Sequence, residues 1–355
     1  MKKLEFWGEN FEKNGNFLDR KISLCEGKTL LKGGTKVGKT TLAKQFLSRF
    51  DAPFYFNFND IRNEGVSLKK AVEFVKLSKF DAVCLDGVAG VEENEPLLQQ
   101  LPCQNLVVIT QERQAGLQGF ESVELFGLDY EEFIAFFAKN YDAKTLFTQF
   151  MKRGNLPNFA LLDLAKTASL QELLRANFSP NELSVLQLLA TQIDATLNAY
   201  QIYEELKSRA KISKSFVYAT LQKAQTNYLL ALLPSFEGGK AKPYFYNFAL
   251  KNALSLHKNP KSLIKNMLFC ELVGFDEVFF TKELDFFIPQ EKIAVKVEPF
   301  LDEGFVRLWF KKNLAHFKKL DLSRVVVVSN FGEGEFESEG VRCEMSSFWV
   351  FLASL

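Results

Sequence analysis

Residues 28–41 read Lys28-Thr29-Leu30-Leu31-Lys32-Gly33-Gly34-Thr35-Lys36-Val37-Gly38-Lys39-Thr40-Thr41. An apolar strand, Thr29–Lys32, runs into a glycine-rich loop, and a helix over Lys39–Phe50 carries Ala43, Phe46, Leu47 and Phe50 on one face. Gly33 to Thr40 satisfies the spacing G-x-x-x-x-G-K-[ST], and each position has a chemical reason. Glycines let successive N–H groups turn inward on phosphate oxygens, and the helix N-terminus adds positive potential. Lys39 is placed to reach the β- and γ-phosphates, and the Thr40 hydroxyl to ligate Mg²⁺. The expected binding set is therefore Gly33, Gly34, Thr35, Lys36, Val37, Gly38, Lys39, Thr40 and Thr41, with ATP and Mg²⁺ as ligands.

Further apolar strands follow at Pro53–Phe58, Ala82–Leu85, Leu106–Thr110 and Ser122–Leu125, with a helix at Leu68–Leu77. Strands alternating with helices predict an α/β fold, a P-loop NTPase with a mostly parallel sheet, over residues 1–128. Ala82–Asp86 ends in an acid, and Asp86 is expected to hold the metal's water shell beside Thr40. The next residue is Gly87, where a water-activating glutamate is usual; Glu92 and Glu93 lie close by in sequence. Thr110 or Gln111, at the end of the following strand, is a candidate γ-phosphate sensor, with a plain strand-terminal polar residue as the alternative.

Beyond Asp129 the pattern is helical to about residue 176 and reads as a lid, with Phe133, Phe136 and Phe137 on one stripe. Ser179-Pro180-Asn181-Glu182 is a capping box that opens a new unit, 177–250. Helices at 180–193, 199–208 and 214–226 and two strands about Glu237-Gly238-Gly239-Lys240 predict a winged helix. Residues 251–355 predict a further α/β domain: a helix near 261–273, then strands near 277–281, 284–288, 292–297 and 324–329.

With 47% hydrophobic and 25% charged residues, the 355-residue chain excludes disordered and collagen-like classes. Its longest apolar runs, Tyr228–Pro234 and Val325–Val328, are far shorter than the roughly 20 residues that span a bilayer. The opening Met1-Lys2-Lys3-Leu4-Glu5 does not read as a secretory signal. Five cysteines without CxxC spacing argue against a disulfide framework or zinc knuckle, and His257 and His316 are isolated. A reduced, cytoplasmic location and no membrane partner are expected. The net charge of +1 conceals a block at 207–265 with eleven basic residues and one acid, Glu237. That block meets an anionic partner or packs on the chain's own acids.

Several motifs occur in a telling order. After the phosphate loop come Phe56–Arg62 (Phe-Asn-Phe-Asn-Asp-Ile-Arg), Leu106–Thr110, Gly127–Phe133 (Gly-Leu-Asp-Tyr-Glu-Glu-Phe), Gly154-Asn155-Leu156-Pro157, Tyr244–Leu254 and Leu284–Phe286. In this order, over nearly its full length, the chain resembles the bacterial and archaeal AAA-type ATPases of the STAND-like branch. Those proteins carry a winged helix and a restriction-endonuclease-like C-terminal domain. The phosphate loop is similar to the family's G-x-R-x-V-G-K-T, with Lys36 for arginine. Two departures bear on activity. The family's Asp-Glu pair is Asp86-Gly87, and its Gly-Arg pair aligns with Gly119-Phe120, leaving Arg113 as the nearest arginine. The resemblance thus implies ATP binding with slow or absent hydrolysis.

For the C-terminal domain it implies a PD-(D/E)XK frame. That chemistry requires an Asp and a Glu on Mg²⁺ with a Lys beside the attacking water. Asp285 and Lys296 are in place, but the Glu-x-Lys glutamate is Ala294 and the helical glutamate aligns with Lys265. Glu298, on the same strand face as Lys296, or Glu271 is the only rescue, so a degenerate nuclease site is expected. On the winged helix, Lys214, Tyr218 and Gln222 fall on the polar face of the third helix with Lys211 just ahead of it, and Lys240 and Lys242 on the wing, as duplex DNA would require. The reading is an ATP-dependent switch controlling DNA or protein binding. The rivals are an ATP-gated nuclease and a non-hydrolysing module whose basic block docks on its own acids.

Overall fold

Continuous apolar runs become strands buried on both faces, which is what a parallel sheet between helices demands. In the computed structural model, which describes residues 2–11, 20–137, 141–161, 166–209, 211–330 and 332–352, these are β1 (Lys28–Gly33), β2 (Pro53–Asn57), β3 (Ala82–Asp86) and β4 (Asn105–Thr110), joined by the more exposed β5 (Glu121–Leu125). They pair in parallel throughout, in the order β2-β3-β4-β1-β5. Helices α1 (Lys2–Glu9), α2 (Lys39–Leu47), α3 (Leu68–Leu77) and α4 (Glu95–Leu98) accompany them. Leu30, Phe54, Phe56, Val72, Val83, Leu85, Leu106 and Val108 form one continuous core. The carboxyl ends of β1, β3 and β4 converge, which is where open α/β sheets bind ligands. Helix α2 ends at Leu47, capped by Ser48, rather than at Phe50, and α1 and α4 were not anticipated from the sequence.

The chain divides into two compact units, 1–127 with 226–228, and 128–225 with 229–355. The lid, winged-helix and nuclease-like segments anticipated from the sequence lie in the second, apart from residues 226–228 of the winged-helix segment, which belong to the first. It begins with α5 (Tyr130–Phe137), α6 (Ala143–Arg153), α7 (Pro157–Leu161) and α8 (Lys166–Asn177). Residues 138–140 and 162–165 of the anticipated lid, and the Phe136 side chain, fall outside the described residues. Next come α9 (Pro180–Thr191), α10 (Ala199–Leu206) and α11 (Lys214–Thr226), then an antiparallel hairpin of β6 (Leu230–Pro234) and β7 (Ala241–Phe245). The Ser179 capping box forms as expected, and Asn198 and Gln201 make a second one at α10.

After α12 (Ala249–Leu254) and α13 (Pro260–Leu272), the second unit closes on a mixed sheet, β11-β12-β10-β9-β8. Its strands are β8 (Phe286–Ile288), β9 (Ile293–Val297), β10 (Arg324–Val328), β11 (Gly334–Ser338) and β12 (Val341–Ser346). Helix α14 (Glu303–Lys319) packs Val306, Phe310, Leu314 and Phe317 on that sheet, and α15 (Phe348–Leu352) follows β12. The strand anticipated near 277–281 is corrected: only isolated bridges form there, Ser235 with Phe280 and Phe279 with Phe287. Among the described residues no helix is long and apolar enough to cross a membrane.

Candidate functional site

The phosphate loop joins the end of β1 to the start of α2, and its backbone shows why it needs its glycines. Gly33 sits at φ +152°, where a Cβ would run into the Leu125 carbonyl. Gly34 lies against Tyr228, a Cβ there falling 3.1 Å from the tyrosine Cβ. Gly38 caps α2 at φ +103°, a conformation that only glycine adopts without strain. Lys36 is also left-handed, at φ +67°, and exposed, whereas Val37 is buried and anchors the loop. Thr35 faces Gln111, 3.4 Å away, and Thr41 is exposed on the first turn of α2.

Lys39 is buried, and its ammonium donates to two carbonyls of its own loop, Gly33 at 2.7 Å and Gly34 at 2.6 Å. Burial pulls its pKa down to about 8 against the opposing pull of Asp86. At the next residue, the Thr40 hydroxyl donates to Asp86 Oδ2 at 2.6 Å. Tyr55 on β2 donates to the same oxygen at 2.8 Å, and burial followed by the Asp86 charge pushes its phenol well above the usual range. Two hard oxygen donors, Thr40 Oγ1 and Asp86, thus share one point at the end of β3. That donor set fits Mg²⁺, which binds through one or two protein oxygens and keeps phosphates and waters for the rest.

The other residues singled out beyond β3 and β4 make local contacts. Thr110 is buried, its hydroxyl accepting from Glu112 N at 3.2 Å, so it ends β4 in a local turn. Glu112 in turn accepts from Gly90 N at 2.7 Å and Val91 N at 3.2 Å. Glu92 accepts from Gly116 N at 3.3 Å. Arg113 lies 5.6 Å from the Tyr228 ring centroid and 3.6 Å from Glu124, which also takes the Tyr228 hydroxyl at 2.7 Å. Tyr55, Tyr228 and Asn59, the last packed over Gly87, were not singled out from the sequence. A cavity of about 480 Å³, lined by Trp7, Thr40, Lys44, Tyr55, Asn57 and Arg62, opens beside the Thr40–Asp86 pair. Here Arg62 stacks 4.8 Å from the Trp7 ring, and Lys44 4.8 Å from the Tyr55 ring.

In the second unit, of the residues expected to form a degenerate nuclease site, Asp285 meets the Lys265 ammonium. Asp285 is buried; one oxygen accepts from Lys265 Nζ at 2.7 Å and the other from Val297 N at 2.8 Å. Burial raises its pKa, but the charges of Lys265 and Lys296 bring the net value below the usual carboxylate range. Lys265 also donates to Asp194, from the α9–α10 connection, which binds Lys242 at 2.7 Å as well. Lys296 stands 3.8 Å from Glu298, and Glu298 pairs with Lys261 at 2.8 Å. Glu271 accepts from Tyr130 N at 3.1 Å and caps α5. Among the described residues no group of three or more Asp, Glu, His or Cys is arranged to hold a metal ion.

Of the six candidate nucleic-acid residues, Lys211, Lys214, Tyr218, Gln222 and Lys240 are exposed. Tyr218 is 61% exposed, and Lys214 lies 4.4 Å from the Tyr200 ring. Lys242 is the correction: its ammonium is turned onto Asp194 and over the Phe280 ring rather than outward.

No protein-family model and no curated protein matches the sequence. Among solved structures the chain is similar to the Walker-type ATPase PABY2304 of Pyrococcus abyssi, at 15% identity and TM-score 0.45, over 71% of this chain and 93% of that one. It is also similar to the STAND protein PH0952 of Pyrococcus horikoshii, which has a tetratricopeptide repeat sensor, at 14% identity and TM-score 0.30. That match covers 70% of this chain and 43% of the other. A third likeness, to Drosophila ORC bound to AT-rich DNA and Cdc6, has 13% identity and TM-score 0.18, over 61% and 81% of the two chains. These scores are low, and the functional reading rests on the loop's own geometry.

Proposed function

We propose that the chain binds Mg²⁺–ATP at Gly33–Thr41 and hydrolyses it slowly, as a switch on the binding of DNA or a protein. The observation that carries this reading is the arrangement at α2. Lys39 is held in reserve on the Gly33 and Gly34 carbonyls, beside the Thr40–Asp86 pair. Incoming phosphates offer the ammonium a stronger, charged acceptor than those carbonyls. Thr40 and Asp86 would hold Mg²⁺, which would neutralise charge on the β- and γ-phosphates. Exposed Lys211, Lys214, Tyr218, Gln222 and Lys240 are the proposed contacts to duplex phosphates. The nuclease alternative is disfavoured because Asp285 is already occupied by Lys265 and Val297 N.

The test is nucleotide binding and hydrolysis with and without duplex DNA, with Lys39→Ala as the blank. ATP with Mg²⁺ at a hundred times its Kd should stabilise the wild type by about 2.7 kcal/mol, and Lys39→Ala not at all. DNA-dependent turnover that Lys39→Ala abolishes would support the switch. Equal thermal shifts in both proteins would overturn ATP binding at this loop.

A further inference from the structure

We propose that the Asn59 carboxamide fills the place of the acidic side chain missing after Asp86 and positions the water that attacks the γ-phosphate; this rests on the nucleotide reading above. Gly87 has φ +81°, and a Cβ there would strike the Asn59 amide nitrogen and lie 2.9 Å from its Cγ. The amide thus occupies the volume into which a side chain at position 87 would project. The placement is built rather than incidental. Asn57 stands in register with Asp86, Phe58 N donates to the Asp86 carbonyl at 2.9 Å, and Asn59 N donates to Asn57 Oδ1 at 2.8 Å. The turn after β2 is in this way fastened to the end of β3, with Asn59 over Gly87. The Asn59 side chain is exposed, and among the described residues its carboxamide makes no hydrogen bond, the backbone N–H alone donating to Asn57.

A carboxamide donates and accepts hydrogen bonds but has no useful basicity. It can hold a water by its oxygen and cannot take the water's proton. In the step, the water oxygen bonds to the γ-phosphorus as the bridging bond to the β-phosphate breaks. The bridging electron pair leaves on the β-phosphate oxygen, and the water's proton passes to the released phosphate. Asn59 orients the attack without sharing in the proton transfer, which is a chemical reason for slow turnover.

The experiment compares wild type, Asn59→Ala and Asn59→Asp for ATP affinity, kcat and the pH profile of kcat. Asn59→Ala should lower kcat by about tenfold with Kd unchanged. Asn59→Asp should raise kcat above wild type and add an acid limb to the profile, an outcome a merely structural asparagine does not give. Should wild-type turnover be undetectable, turnover gained in Asn59→Asp supports the proposal all the same. Retained ATP binding with kcat unmoved, or absent in Asn59→Asp, overturns the role of Asn59 and leaves the nucleotide reading standing. Absence of ATP binding in the wild type overturns both.

Discussion

A buried lysine with two carbonyl partners is a charge waiting for an anion, and that makes Lys39 a proton meter for ligand binding. Its pKa is pulled down to about 8 from the ordinary lysine value of 10.5, chiefly by burial. Polyphosphate beside the ammonium favours its charged form and moves the value back up. Between these two values binding must take up a proton, so ATP affinity should fall as pH rises through 8, by up to tenfold per unit. Calorimetry at pH 8.5 in two buffers of different ionisation enthalpy should show about three-quarters of a proton taken up, and almost none at pH 6.5. The same depression sets a stability signature. The unfolded chain binds the extra proton from about pH 8 to 10.5, so without added nucleotide the protein gains stability from this group as pH rises through that window, not as it falls. At this scale the loop was legible because glycine at φ +103° and a lysine at a fixed offset are local requirements. Tyr55 and Asn59 were not, because their meeting with Asp86 and Gly87 depends on the β2–β3 register, which no local pattern states.

Elements were legible where their burial pattern was simple. The strands β1 to β4 are near-continuous apolar runs, and the sheet that packs them is buried on both faces. Helix α14 was missed although its signal is present: Asp302 caps it, and Val306, Phe310, Leu314 and Phe317 recur at helical spacing. Strands β11 and β12 were missed because Glu335, Glu337 and Arg342 break their apolar character. Their two-residue turn, Glu339-Gly340 at φ +50° and +81°, was the usable clue. The ammonium of Lys265 on α13, shared by Asp285 and Asp194, is the element-scale interaction with the largest expected effect. Burial opposes its charge, and Asp285 followed by Asp194 restores it, with a net pKa above the usual value. Lys265→Met would leave the Asp285 carboxylate buried and unpaired, a loss of about 3–5 kcal/mol. Urea unfolding should show that loss in Lys265→Met and a substantial recovery in Lys265→Met with Asp285→Leu. A single variant as stable as wild type would mean that the pair does not hold its charges in the folded protein.

Over the whole molecule, the basic block at 207–265 turns out to be largely spent within the chain. Five of its ammonium groups meet carboxylates: Lys207 on Glu204, Lys223 on Glu182, Lys242 on Asp194, Lys261 on Glu298, and Lys265 on Asp194 and Asp285. Lys251 is buried on the His257 carbonyl. Sequence alone could not divide this charge between solvent and self, because the division depends on where Asp194 and Glu298 come to lie. The consequence for DNA is quantitative. If exposed Lys211, Lys214 and Lys240 are the phosphate contacts, log K against log salt should have a slope of about −3. Engagement of all eleven basic side chains would instead give about −10. Replacing these three lysines by alanine should remove both the affinity and the slope while leaving the unfolding midpoint in place, because among the described residues none of them pairs with a buried acid. Lys242→Ala should do the reverse, lowering the midpoint because Asp194 loses a partner, with little effect on the slope. A steep slope that Lys242→Ala flattens would mean that DNA draws this lysine off Asp194, and that the internal pairing is itself part of the switch.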